Sequence, residues 1–173
     1  MQKRKTNKVD RISPEKRSWN MSRIKSKDTT PERLVRSFLH RNGFRFRLHV
    51  KDLPGKPDIV LPKYKLIIDI RGCFWHCHRN CDQYRLPSAN QEWWKNKLDE
   101  NVMRDAKNCN DWSAKGWNVL VIWSCLFKHM NKQNGDIILN YIATYLKEII
   151  CKKQVCLELS WNDFCIRKDS LYA

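Results

Sequence analysis

The sequence predicts an α/β domain. Three observations lead there. Short apolar segments rich in β-branched residues occur at 58–61, 65–70 and 117–123. Apolar residues recur at helical spacing before, between and after them. The length, 173 residues with 42% hydrophobic side chains, fits one folded core.

The elements follow in order. Residues 1–27 are basic and polar, with isolated apolar anchors at Ile12, Trp19, Met21 and Ile24. They read as a mobile or partner-ordered arm. Thr29 and Thr30 precede Pro31 and Glu32, which is a helix start with a capping threonine and an early proline. Leu34, Val35, Phe38 and Leu39 form its apolar face, and Gly43 ends it. Phe44, Phe46, Leu48 and Val50 alternate with Arg45, Arg47 and His49, as in a half-buried strand. Leu53-Pro54-Gly55-Lys56-Pro57 is a turn, and Pro62-Lys63-Tyr64 splits two further strands.

Residues 71–87 are dense in Cys, His and charge and have no period, so something must hold this loop together. Trp94, Leu98, Val102 and Trp112 are spaced for a long helix over 88–115, which Gly116 stops. A central strand follows at 117–123. Ile138, Ile142, Tyr145 and Ile149 mark a helix over 136–150. The chain thus divides into an arm (1–27), a main domain (28–150) and a C-terminal extension (151–173) with no assigned structure.

Charge narrows the function. Lys and Arg number 34 against 18 Asp and Glu, a net charge of +16. Such a surplus calls for a polyanionic partner. Nucleic acid comes before an anionic membrane, because no basic amphipathic helix with an aromatic face appears. No apolar run approaches the ~20 residues of a membrane span, and the basic N-terminus lacks the apolar region of a secretory signal. Eight tryptophans could stack on bases. Only 5 Gly and 6 Pro exclude collagenous and low-complexity classes. Eight cysteines are too sparse for a disulfide scaffold, and a reducing compartment is expected. Cys109, Cys151, Cys156 and Cys165 read as ordinary free thiols.

Two metal chemistries suggest themselves. Asp58 and Asp69 sit on neighbouring strands, and Asp69 interrupts an apolar run, where a buried charge needs a partner or a metal. Two carboxylates, joined by the Ile70 carbonyl, can hold Mg²⁺ against a phosphodiester. Arg71 stays protonated and could clamp charge on phosphorus. Proton removal from water then falls to His76. Cys73, His76, Cys77, His78 and Cys81 crowd one loop. A zinc site is expected from Cys73, His78, Cys81 and the distant Cys125, with Cys77 as a spare and a zinc role as the alternative for His76.

Leu53-Pro54-Gly55-Lys56-Pro57-Asp58 and Gly72-Cys73-Phe74-Trp75-His76 closely resemble segments of the very short patch repair (Vsr) DNA mismatch endonucleases. The likeness continues through Glu92-Trp93-Trp94, Lys97, Asn101, Arg104-Asp105, Gly116-Trp117 and Trp123-Ser124-Cys125, and upstream to Met21 and Glu32. It covers residues 10–128. The resemblance implies a restriction-endonuclease-like core, a mixed central sheet flanked by helices, with a structural zinc site. It implies a Mg²⁺-dependent endonuclease that nicks one strand 5′ to the thymine of a T·G mismatch, the product of 5-methylcytosine deamination. By position, Asp58 would be the central Mg²⁺ ligand, His76 the catalytic histidine and Glu32 a supporting carboxylate. Phe74, Trp75 and Trp94 would form an aromatic wedge in the major groove, and Met21 would approach the minor groove. Lys97, Asn101 and Arg104, at helical spacing, could face phosphates.

The implied setting is the bacterial cytoplasm, at the nucleoid, as a monomer. The implied partners are duplex DNA with a T·G mismatch, a companion cytosine methyltransferase, and mismatch-repair and repair-polymerase proteins. Asp69 and Arg71 rebuild an acid–base pair that these enzymes commonly lack, which makes Asp69 a second ligand candidate. Ser124 stands where they usually carry Glu. Two alternatives remain: a restriction-type nuclease cutting matched duplex, and a zinc-containing DNA-binding module without catalysis.

Overall fold

A computed structural model describes residues 12–25, 27–131, 133–151 and 155–167. The remainder of the arm and of the extension lies outside the described residues. The order is α1 (Pro14–Ser22), α2 (Thr30–Arg41), β1 (Arg47–Leu48), β2 (Ile59–Leu61), a 3-10 turn (Pro62–Tyr64), β3 (Leu66–Arg71), α3 (Gln91–Ala114), β4 (Asn118–Trp123), α4 (Cys125–Lys128), α5 (Gly135–Cys151), β5 (Cys156–Leu159) and α6 (Trp161–Arg167). The five strands form one sheet in the order β1-β2-β3-β4-β5. β1, β2 and β3 pair antiparallel, whereas β3, β4 and β5 run parallel. The sheet is therefore mixed, as expected.

Helices cover both faces, which parallel strands require. Along β3, Leu66 and Ile68 face the layer holding Val35 and Leu39 of α2 and Ile138, Ile142 and Ile149 of α5. Ile67 faces the opposite layer with Trp112 of α3. β4 is buried from end to end: Leu120 and Ile122 join the first layer, Val119, Val121 and Trp123 the second. This explains its continuous apolar run.

Helix α2 begins with a full capping box. Thr29 Oγ1 accepts from the Glu32 N–H at 3.4 Å, and Glu32 Oε1 accepts from the Thr29 N–H at 3.3 Å. Two expectations need correction. The strand expected over 44–50 shrinks to Arg47–Leu48, both exposed, because Phe44 and Phe46 pack on the core without pairing. The long helix starts at Gln91, after Asn90 in the left-handed region. Residues 155–167 of the extension, for which the sequence assigns no structure, supply β5 to the sheet, and Leu159 and Phe164 lie in the main core. Within the described arm, α1 forms, capped by Ser13.

Candidate active site

The ends of β2 and β3, the loop after β3 and one face of α3 enclose a cleft of about 1020 Å³. Asp58, Asp69, Ile70, His76, Asp105 and Glu32 all line it. Asp58 enters β2, and its Oδ2 accepts from the Ile70 N–H at 2.8 Å. That bond docks the acid against the end of β3. Burial, followed by the charge of Asp69, pushes the Asp58 carboxyl up to about 7. Two carboxylates in a half-dry cleft are thus short of positive charge. A hard divalent cation, which takes oxygen ligands, suits Asp58, Asp69 and the nearby Ile70 carbonyl.

The Arg71 guanidinium does not line the cleft with them. It is buried; its Nε donates to Asp69 Oδ2 at 2.8 Å and its Nη2 to Cys109 Sγ at 3.2 Å. It holds Asp69 from the side away from the cleft lining. The alternation of a strand explains this, since Asp69 and Arg71 share the face that packs on α3.

His76 is aimed from a short folded loop. Its N–H donates to the Gly72 carbonyl at 3.1 Å, and the His78 N–H donates to the Cys73 carbonyl at 2.9 Å. His76 Nδ1 lies 2.5 Å from Asp105 Oδ2. A carboxylate accepts only, so it holds the proton on Nδ1 and leaves Nε2 as the basic atom. Sequence reasoning missed Asp105 as a site residue. A signal existed: the buried face of α3 runs Trp94, Leu98, Asn101, Asp105, Trp112, and two of those five are polar.

Asn101 is likewise buried. Its Nδ2 donates to the Trp75 carbonyl at 3.0 Å, so it braces the loop from within the cleft lining. Arg104 is exposed and donates to Asn101 Oδ1 at 2.8 Å. Lys97 is exposed and meets Glu100. Ser124 ties the other end of the loop: its N–H donates to the Arg71 carbonyl at 2.9 Å and its Oγ accepts from the Cys73 N–H at 3.1 Å.

Phe74, Trp75 and Trp94 do meet. Ring centroids lie 5.1 Å apart for Phe74–Trp75 and 5.3 Å for Phe74–Trp94. Trp94 is the buried base of the cluster, and the neighbouring Trp93 is exposed. Met21 is exposed on α1, away from the cleft lining. Glu32 is buried beside the cleft, yet both its oxygens are engaged. Oε1 takes the Thr29 hydroxyl at 2.8 Å; Oε2 takes the Asp28 N–H at 2.9 Å and Arg36 Nη2 at 2.7 Å. Arg36 also pairs with Asp28. His49 completes this group, whose positive charge Arg36 already supplies.

Cys73, His78, Cys81 and Cys125 converge. Their sulfur and nitrogen atoms all lie within 4.8 Å of one another. The Cys73 thiol is drawn down to about 4, chiefly by its hydrogen bond with Cys125, whose own thiol the same bond raises. The His78 ring stacks on Trp123, with centroids 4.1 Å apart. Four N/S donors from two distant segments fit a tetrahedral zinc ion. Cys77 and His76 stand outside the set.

An acidic pair, a histidine held by a carboxylate and a basic chain are the groups that metal-assisted hydrolysis of a polyanion calls for. Comparisons with known proteins make it specific. Residues 9–83 match the family model "DNA mismatch endonuclease Vsr". The Escherichia coli DNA mismatch endonuclease Vsr is 35% identical over 135 residues, 78% of this chain and 83% of that one. The type II nicking enzyme V.XorIIP of Xanthomonas oryzae pv. oryzae is 47% identical over 117 residues, 68% of this chain and 85% of its own. V.NmeAIP of Neisseria meningitidis, also a type II nicking enzyme, is 44% identical over 142 residues, 82% and 99% of the two chains. The chain belongs to the Vsr family of DNA endonucleases. Among the described residues no helix is long and apolar enough to cross a membrane.

Proposed function

We propose that the protein nicks one strand of duplex DNA 5′ to the thymine of a T·G mismatch, in a Mg²⁺-dependent reaction, as a monomer in the bacterial cytoplasm. The observation that carries this reading is one cleft shared by the Asp58–Asp69 pair and the His76–Asp105 pair. Asp58, Asp69 and the Ile70 carbonyl would hold Mg²⁺, which supplies charge neutralisation at the phosphate when bound. Nε2 of His76 takes a proton from the attacking water, and Asp105 orients and stabilises the imidazolium that results. Arg71 keeps Asp69 in place.

The zinc cluster is structural in this reading. It fixes the loop that carries His76 and the aromatic rings. Phe74 and Trp75, backed by Trp94, would insert beside the mismatch, where unstacking costs least. Lys25, Lys27 and Arg104, lining the cleft mouth, would meet phosphates, and Met21 on α1 would reach the other groove. The test is a labelled T·G duplex incubated with and without Mg²⁺ beside a matched control. One nick on the thymine strand, absent without Mg²⁺ and on matched DNA, is expected. Equal cutting of matched DNA, or cutting without a divalent ion, would overturn the reading.

A further inference from the structure

Two cysteines outside the zinc set meet on the α3 face of the sheet. Cys109 lies on α3, half-buried, packed against the layer that contains Val119 and Val121. Cys156 opens β5 directly opposite Val119. Side chains paired across neighbouring strands share a face, so Cys156 points towards α3. Each thiol is the leading influence on the other's ionisation. Arg71 Nη2 completes the group at 3.2 Å from Cys109 Sγ. Cys156 is exposed, so solvent reaches the pair.

We propose that Cys109 and Cys156 are a reversible redox pair, which hydrogen peroxide oxidises to a disulfide tying α3 to β5. The surroundings divide the labour. The thiolate is the nucleophile, and cationic neighbours favour it. Cys109 is drawn down to about 7, first by its hydrogen bond with Cys156 and then by Arg71, while the same bond raises Cys156. Cys109 sulfur attacks one peroxide oxygen, the O–O bond breaks and hydroxide leaves, giving a sulfenic acid. Cys156 sulfur then attacks Cys109 sulfur; the S–O bond breaks, water leaves and the S–S bond forms. Two thiols and one peroxide become one disulfide and two waters; sulfur is oxidised and peroxide oxygen reduced.

Arg71 spans the pair and the cleft, with Nη2 on Cys109 and Nε on Asp69. Oxidation removes the sulfur anion from Nη2 and pulls α3 towards β5, so it reaches Asp69. This last link rests on the metal-holding role proposed for Asp69; the thiol chemistry does not.

The test treats the zinc-loaded full chain with stoichiometric peroxide, then maps disulfides by mass spectrometry of a non-reducing digest. A peptide joining residues 109 and 156, cleaved by dithiothreitol, is the expected product. In Cys156→Ser the cross-link disappears and dimedone labels Cys109. Oxidation of Cys151 or Cys165 ahead of Cys109, or Cys109 pairing with another cysteine, would overturn the proposal. Nicking of a T·G duplex should fall several-fold on oxidation, recover with dithiothreitol and stay constant in Cys156→Ser. A formed cross-link with unchanged nicking would refute the link to Asp69 alone.

Discussion

His76 Nδ1 and Asp105 Oδ2 lie 2.5 Å apart across the join between the metal-rich loop and helix α3. The carboxylate fixes which ring nitrogen is free. Asp105→Asn offers an amide that can donate as well as accept, so the wrong tautomer becomes available. Nicking is expected to fall by about 10²–10⁴-fold, as for other carboxylate–imidazole pairs, while duplex binding holds. The check is single-turnover nicking beside a binding titration. Binding lost in step with rate would make Asp105 a folding residue only.

Asp58 links the cleft to stability. Its carboxyl sits at about 7 in the fold against an ordinary 3.8, raised first by burial and then by Asp69. A raised acid binds its proton more tightly when folded. Its contribution is therefore full below the ordinary value and is lost as pH rises towards 7. Metal-free protein should lose stability over that window, by at most a few kcal/mol, since each tenfold change in proton affinity is worth ~1.4 kcal/mol. Asp58→Asn should be more stable than the parent at pH 8 and lack this slope. Melting curves across pH, in buffer free of Mg²⁺, decide it; parallel curves for the two proteins would refute it.

Cys125 is the distant member of the four-donor cluster. Cys125→Ser should release zinc and weaken the fold by several kcal/mol, since structural zinc sites contribute folding energy directly (~10 kcal/mol or more in isolated fingers). Metal analysis and melting temperature measure this together. Zinc retained at one per chain would remove Cys125 from the ligand set.

Gly55 is held where any side chain is strained. Its φ is +69°, and an added Cβ would collide with the side-chain amide of Asn108. The same turn is pinned to α3 by Trp112, whose Nε1 donates to the Pro54 carbonyl at 2.9 Å. Gly55→Ala should cost about 1–3 kcal/mol. Adding Asn108→Ala should relieve the collision and leave the backbone cost. Chemical denaturation of the single and double variants separates the two.

Much of the fold was legible because its signals are local. The capping box at Thr29–Glu32, the buried run of β4 and the face of α5 are each written in a few neighbouring residues. β5 and α6 were not, because Cys156–Leu159 becomes a strand only by pairing with β4. Three of the four N/S donors were readable because Cys73, His78 and Cys81 cluster along the chain, and the distant Cys125 follows from the need for a fourth ligand. The partnerships of Asp105, Asn101 and Arg71 were not. Each depends on which side of an element a polar group faces, and tertiary packing sets that.

Phe74, Trp75 and His76 are consecutive, on a turn pinned at one end by Ser124 and at its middle by Asn101. On the proposed roles, probe and blade are forged as one piece. A duplex that resists the rings also keeps the imidazole off its backbone, so fidelity needs no separate checkpoint; it is built into three adjacent positions.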